Sequence, residues 1–446
     1  MMKTRIFFFT VVLTMLSFTA WAGWFNLFPK PLAPQDMALF EAVLRNNLSE
    51  ATRLTQAGAS PNAIVPNGNS IMQNAVVNGH IEIVKMMLRN KGDVNLVSRD
   101  GLTALYLAKK PEMHKLLLEN GADPFVRTEK NRYSPFEFWC NVTAHITTEA
   151  EKKKVMDTIK SQGLSAKREQ FENTTWLTRA DLVETVKIHQ SFKYDINQTS
   201  NINKQTPLHI AAMDDKFTLM QILIAAGARP DLKDKDGNDP LAIITRYSQS
   251  KNGNNDFAAV VKALVNAGAD INSKDVNNNT PLCNAAVVGN PSRVGTLLAV
   301  NGIRVNERCE YGENALFKTN VMAVSRALVA AGADVNHESD WSYTPLFAVT
   351  DPEVVTFLLK SGANVHHLNK TKESILVNNL KNANEAYKVS MDENRITNAY
   401  LRKFEIIIKA GINVNEGPSQ NTTPLVLAKR VPFTKFVTLL EKSGAR

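Results

Sequence analysis

The sequence predicts an all-α solenoid of about twelve helix-pair units joined by hairpins, some of them degenerate. Two recurring phrases and one feature of the composition predict it. Thr206-Pro207-Leu208-His209 returns as Thr280-Pro281-Leu282, Thr344-Pro345-Leu346 and Thr423-Pro424-Leu425. Weaker copies stand at Thr103-Ala104-Leu105, Ser134-Pro135-Phe136, Asp239-Pro240-Leu241 and Asn314-Ala315-Leu316. Between them lie Gly-Ala turns: Gly121-Ala122-Asp123-Pro124, Gly268-Ala269-Asp270-Ile271-Asn272 and Gly332-Ala333-Asp334-Val335-Asn336. A 446-residue chain with 44% apolar, 21% charged and only 7% aromatic residues is globular and packed by aliphatic side chains.

The N-terminus is set apart from this pattern. Lys3 and Arg5 precede the apolar run Ile6 to Phe18, and Ala20-Trp21-Ala22 before Gly23 is the small-x-small pattern that a signal peptidase cuts. The run is short for a bilayer span and has no stop-transfer flank. Residues 1–22 therefore read as a cleavable signal peptide, with an uncleaved anchor as the alternative. No Cys follows Ala22, which argues against a bacterial lipoprotein. Cleavage lowers the formal charge from +9 to +7. Residues 23–37 read as a Pro-containing linker, and residues 38–446 as the array. Met37 is either an ordinary linker methionine or a second start giving an unexported array in the cytosol.

Within the array the grammar has a physical cause. Thr caps a first helix, Pro is tolerated in its first turn, and Leu opens the buried stripe. Small residues such as Ala211 and Ala212 let helices approach closely. A second helix carries aliphatics at helical spacing, as in the run Ile81 to Leu88, and Gly ends it in a left-handed conformation. The Asp/Asn-rich segment that follows, as at Lys235-Asp236-Gly237, makes a hairpin to the next unit. The copies fall at a spacing of about 33 residues.

On these signatures the chain resembles the ankyrin-repeat family, and the resemblance covers nearly all of residues 38–446. The first unit begins near Ala38 and reads through Gly58-Ala59-Ser60-Pro61-Asn62 without a hairpin, like a cap. The last runs from Thr423 to Arg446. Residues 140–205 fit poorly: Asn173-Thr174-Thr175-Trp176 lacks Pro-Leu, and Tyr194-Asp195-Ile196-Asn197 replaces the Gly-Ala turn. Insertions at Val142 to Thr148, Tyr247 to Asp256 and Lys381 to Thr397 are placed between first and second helices, as partner-specific loops or as tolerated surface.

Signatures of chemistry are sparse. The sequence has no Gly-x-Ser-x-Gly, His-Glu-x-x-His or phosphate-binding Gly-rich loop. His366-His367 lacks a third ligand at metal-binding spacing and reads as a solvated hairpin base. His209 belongs to the Thr-Pro-Leu-His box, where imidazole serves local hydrogen bonding. Cys283 takes the corresponding place in its own unit. A Cys283–Cys309 disulfide across neighbouring helix and hairpin ends is one option, and separate thiols are the other. An enzyme hidden in the degenerate stretch would draw on Asp181, Glu184 and His189; no enzymatic activity, cofactor or metal is expected. Positive charge is spread along the chain without an aromatic-interleaved basic stripe, which argues against nucleic acid.

What remains is surface for binding. Ankyrin arrays use hairpin tips and exposed first-helix faces, and here the hairpins carry Tyr133, Tyr311, Trp341 and Tyr343. Tyr and Trp are enriched in interface hot spots, so these four are the candidate partner-binding residues; the alternative for each is packing onto a neighbouring hairpin. Phe138 and Trp139 are expected in the core. The resemblance implies a protein-binding module, monomeric when unbound. Joined to the export signal, it implies a periplasmic protein similar to immunity proteins that neutralise type VI secretion lipase or phospholipase toxins. Two alternatives are a periplasmic ankyrin protein supporting catalase and peroxide defence, and a secreted effector that binds a host protein.

Overall fold

The computed structural model describes residues 32–127, 133–142, 179–199, 203–246, 254–390, 393–430 and 434–446. The expected signal peptide and most of the degenerate stretch lie outside these residues. Twenty-one α-helices and one isolated bridge, Ile64 to Ser70, are present among the described residues. The chain divides into two compact units that part between Asp195 and Ile196.

Unit one holds α1 (Pro34–Leu44), α2 (Leu48–Gln56), α3 (Ile71–Val77), α4 (Ile81–Arg89), α5 (Ala104–Leu107), α6 (Pro111–Glu119), α7 (Pro135–Val142) and α8 (Arg179–Ser191). Unit two holds α9 (Pro207–Met213), α10 (Phe217–Ala225), α11 (Pro240–Arg246), α12 (Asn254–Asn266), α13 (Pro281–Val288) and α14 (Pro291–Leu298). It continues with α15 (Met322–Ala330), α16 (Pro345–Ala348), α17 (Pro352–Lys360), α18 (Ile375–Ser390), α19 (Glu393–Lys409), α20 (Pro424–Lys429) and α21 (Thr434–Lys442). In each unit first helices pack side by side in one row and second helices in another, so the fold is the expected all-α helix-pair array.

Local chemistry sets these boundaries. Thr206 and Thr280 cap α9 and α13 by accepting from His209 N and Cys283 N. Ser70 and Gln73 form a reciprocal capping box at α3. Gly227, after α10, has φ +95°, which a Cβ would penalise. Behind the caps Leu208, Leu241, Leu282 and Leu346 are buried, forming the apolar seam between the two rows.

A tie from one repeat to the next recurs beside that seam. Asn306 donates through Nδ2 to Gly332 O (2.9 Å) and accepts from Asp334 N (2.7 Å). Asn95, Asn272, Asn336 and Asn415 make the same pair of bonds to the turn one repeat on. The Asn of the Gly-Ala-Asp-x-Asn phrase is thus a staple between neighbours.

Several expectations need correction. Helix α1 begins at Pro34, so the linker expected over 23–37 ends earlier, and Met37 lies inside a helix whose Asp36 accepts from Ser60 N at 2.7 Å. The first unit does end in a hairpin turn, closed by Val65 N to Asn69 O and Gly68 N to Val65 O. Its Ser and Asn-Gly residues replace the usual Asp-rich phrase. At the insertion expected over Lys381 to Thr397 the described residues lengthen two helices, α18 running to Ser390 and α19 starting at Glu393.

Among the described residues three first helices are cut short. Six residues separate Leu105 from Pro111, Leu316 from Met322 and Leu346 from Pro352, against nine from Leu282 to Pro291. The shorter span leaves one turn: α5, α16 and a 3₁₀ turn at Ala315–Lys318. Near α16, Lys403 of α19 is fully buried and donates to Phe347 O at 3.0 Å and Asn379 Oδ1 at 3.5 Å. It occupies the position that Val260, Val294, Val324 and Val354 fill with buried valine elsewhere. The ammonium supplies the donor that a carbonyl lacks when its helix stops early.

Leu208→Ala in α9 is expected to lower unfolding free energy by about 2–5 kcal/mol through lost burial and a residual cavity. Asn306→Ala strands one carbonyl and one N–H and should cost about 1–3 kcal/mol. Urea titration followed by circular dichroism measures both.

Candidate functional site

The hairpin bases decide what the hairpin tips present. In unit two Asp234 Oδ1 accepts from Asp236 N and Asn238 N, and Asp275 Oδ1 accepts from Asn277 N and Asn279 N. Ser339 Oγ accepts from Tyr343 N, and Asn369 Oδ1 from Thr371 N and Glu373 N. Each base therefore closes its own loop. Tips are then tied to one another, Asp340 N donating to Tyr311 O and Lys370 N to Trp341 O, both near 3 Å.

Tyr311 and Trp341 hold the same place in consecutive hairpins, where Asp236, Asn277 and Thr371 stand in others. Tyr311 is 60% exposed and Trp341 58%. Val276, one position earlier in the preceding hairpin, is 59% exposed. Cations lie over both rings, Lys318 Nζ 5.8 Å from Tyr311 and Lys370 Nζ 5.8 Å from Trp341. Lys318 is also held by Glu313 at 2.7 Å. This is an apolar edge three hairpins long. Val276 was visible in the sequence only as an aliphatic residue at a position that is polar in its neighbours.

The other two candidates are placed differently. Tyr343 is half-buried, its ring 5.3 Å from Phe347 and its hydroxyl accepting from Asn378 Nδ2. Tyr133 is half-buried in unit one, where its carbonyl accepts from Tyr106 OH at 2.6 Å. Tyr343 is received by its own first helix and by Asn378 of the next repeat, while Tyr311 and Trp341 face outward. His366 is exposed, and His367 shares a 2.8 Å hydrogen bond with Ser342 O. Trp139 is buried and Phe138 half-buried, edge-on to Tyr106.

The residues named for a hidden enzyme do not converge. Asp181 lies 3.5 Å from Lys110, Glu184 is exposed, and His189 is buried against His114, Nε2 to Nδ1 at 2.9 Å. Around that pair stand Phe136, Trp139 and Tyr194. Glu137 beside them accepts from Ser134 N at 2.7 Å and faces Arg127. Burial pushes its carboxyl up, partly opposed by Ser134 and Arg127. Burial holds His114 down at about 4, and burial with the His114 charge drives His189 well below the usual imidazole range. These groups are a packed polar core under α8. A groove of about 670 Å³ between α15, α17 and α19 is lined by charges of both signs, Arg326, Arg402 and Lys409 among Asp351, Glu353 and Glu405.

One position links the rows to the hairpins. In several units the residue after Thr-Pro-Leu, or its equivalent, reaches the next hairpin: Gln73 Nε2 donates to Leu96 O and Leu102 O, Tyr106 OH to Val126 O, and His209 Nε2 meets Asn238 O. At Cys283 the link is a disulfide to Cys309, 26 residues on, with Cα atoms 6.7 Å apart. Loop-entropy reasoning assigns such a closure about 3–4 kcal/mol of stabilisation.

A helix-pair array with capped first helices, stapled turns and an exposed hairpin edge defines a repeat scaffold that binds through surface. Comparison with known proteins agrees. A family model of ankyrin repeats in three copies matches residues 39–128, and a single ankyrin repeat matches residues 203–235. The human Notch-regulated ankyrin repeat-containing protein is 33% identical over 81 residues, 17% of this chain and 71% of the relative. An ankyrin repeat protein of Rickettsia felis is 30% identical over 138 residues, 28% of this chain and 57% of the relative. The human mitochondrial disaggregase is 24% identical over 219 residues, 48% of this chain, which spans only 25% of that relative's length. The chain belongs to the ankyrin-repeat family, and ankyrin repeats make it a protein-binding module.

Three buried bases, two in unit one and one in unit two, give each unit its own pH dependence. The unfolded chain protonates both histidines near 6.5 while folded unit one keeps them neutral. Their contribution is full above 6.5 and is lost as pH falls towards 4, by up to about 1.4 kcal/mol per pH unit per imidazole. Hydrogen exchange of α6 and α8 between pH 7 and pH 5 should show this, and the pair His114→Leu with His189→Phe should flatten it. Burial lowers Lys403 from 10.5 to about 7, so unit two should gain stability from pH 7 towards pH 10. Lys403→Met should remove that slope in urea titrations.

Proposed function

We propose that this chain is a periplasmic immunity protein that binds and neutralises a type VI secretion lipase or phospholipase toxin. The observation that carries the reading is the outward placement of Tyr311 and Trp341 at equivalent positions of consecutive hairpins joined by the Asp340 N to Tyr311 O bond. Isolated exposed aromatics cost solubility, while an aligned pair is how an interface anchors a partner. Export is supported by Lys3, Arg5, the apolar run and Ala20-Trp21-Ala22. The Cys283–Cys309 bond fits the same compartment, since disulfides persist where the medium is oxidising. Among the described residues no helix is long and apolar enough to cross a membrane.

The mechanism is steric. A toxin seated on the edge would bury roughly 1,600 Å² in a standard-size interface, with Trp341 and Tyr311 as anchors and Lys318 and Lys370 at the rim. Covering the mouth of its active site, or the face with which it docks on membrane, stops hydrolysis without any bond being made or broken by this chain.

Co-expression with a lipase encoded beside this chain is the test. Co-purification, inhibition of lipid hydrolysis and restored growth support the reading; toxin-dependent killing unchanged by this chain ends it. Recovery of a catalase in place of a lipase supports the peroxide-defence alternative. Trp341→Ala should leave unfolding free energy within about 0.5 kcal/mol. The same change should weaken toxin binding by about 2 kcal/mol, or some thirty-fold. A stability loss matching Leu208→Ala would place Trp341 in the core instead.

A further inference from the structure

The hairpin that carries Tyr311 differs from its neighbours at its base. Asp234, Asp275, Ser339 and Asn369 occupy the equivalent position, and each accepts one or two backbone N–H bonds from its own loop. Cys309 stands there in the Tyr311 hairpin, and a thioether-like sulfur is a poor acceptor for that role. The loop keeps the backbone bonds Cys309 N to Glu313 O (2.7 Å), Gly312 N to Cys309 O (2.9 Å) and Glu313 N to Glu310 O (3.3 Å), and Asn279 Oδ1 of the preceding hairpin accepts from Glu310 N at 3.3 Å.

That loop also carries backbone strain. Tyr311 has φ +60° and Gly312 φ +69°, and a left-handed tyrosine is uncommon. A methyl group at Gly312 would displace the Arg308 guanidinium and the Asp340 carboxylate, which pair across it at 2.7 Å. The opposite end of the disulfide is equally displaced from the pattern. Cys283 stands where His209 and Gln73 hold the next hairpin by hydrogen bonds. The first-helix end of one tie and the base clasp of the following hairpin have both been exchanged for cysteine, and the two cysteines are joined.

We propose that the Cys283–Cys309 disulfide is an oxidative lock on the hairpin that presents Tyr311, so that the binding edge is complete only in the oxidised chain. The consequence for partner capture rests on the function proposed above; the lock itself does not. Opening it takes a dithiol. One thiolate attacks a cystine sulfur to give a mixed disulfide, and the second displaces the remaining protein thiol. Two electrons and two protons pass to Cys283 and Cys309, and the dithiol leaves as its own disulfide. The reduced hairpin then has no covalent bond and no base side chain accepting from its own loop; Asn279 on Glu310 N and His337 on Gly312 O remain, and Tyr311 is held less firmly.

Hydrogen exchange with mass spectrometry on the full purified chain reads this directly, with dithiothreitol as the reductant. Reduction should accelerate exchange of amides 309–314 by at least about tenfold, while those at 235–239 and 340–344 change less than about twofold. The double variant C283H/C309D supplies the imidazole that His209 turns to a hairpin carbonyl and the loop clasp that Asp234 provides. It should retain oxidised-like protection at 309–314 and show no response to dithiothreitol. Alkylation that finds both thiols free in the unreduced exported chain overturns the proposal, as does exchange at 309–314 that reduction leaves unchanged. Failure of the chain to capture a lipase would end the immunity reading but leave these exchange results standing.

Discussion

No repeat in this chain can bury its own apolar face, so everything depends on how firmly each helix pair is fixed to the next. The apolar seam through Leu208, Leu241, Leu282 and Leu346 supplies most of the attraction but little direction. Direction comes from polar staples: Asn95, Asn272, Asn306, Asn336 and Asn415 each grip one carbonyl and one N–H of the following turn. A slipped pairing would leave both groups unsatisfied, which costs more than the bonds gain. Hydrophobic burial makes the stack and the asparagines fix its register.

Within that frame one position has been varied freely. Gln73, Tyr106, His209 and Cys283 all link a first helix to the next hairpin, by amide, phenol, imidazole and disulfide. Phe317 and Phe347 do it by ring contact with His337 and His367, which in turn bond the backbone at Gly312 and Ser342. The geometry is conserved along the chain while the chemistry changes. Such freedom leaves each hairpin with its own stiffness, and stiffness decides whether a tip side chain is displayed or folded down.

Much of this was readable from the amino acids because caps and turns are local. Thr-Pro-Leu and Gly-Ala announce helix starts and stops through bonds that span three or four residues. The site was half legible. Tyr311 and Trp341 stand out as aromatics at polar positions, but Tyr343 follows the same rule and turns inward, because Asn378 and Phe347 of neighbouring elements receive it. Lys403 was invisible: its burial depends on α16 stopping after one turn, and the missing residues lie more than fifty positions away in the chain. The contact of His114 with His189 is likewise separated by 75 residues and carries no local mark.

The shortened first helices have a mechanical consequence. A repeat array under tension yields where the fewest bonds resist peeling, and α5, α16 and the turn at Ala315–Lys318 offer one helical turn each. Each carries an added tether nearby. Tyr106 hooks two carbonyls in the next hairpin, Cys309 is welded to the preceding repeat, and Lys403 grips Phe347 from behind. Reinforcement sits at the seams where material was removed, so a pull along the chain meets a graded series of catches rather than one weak link.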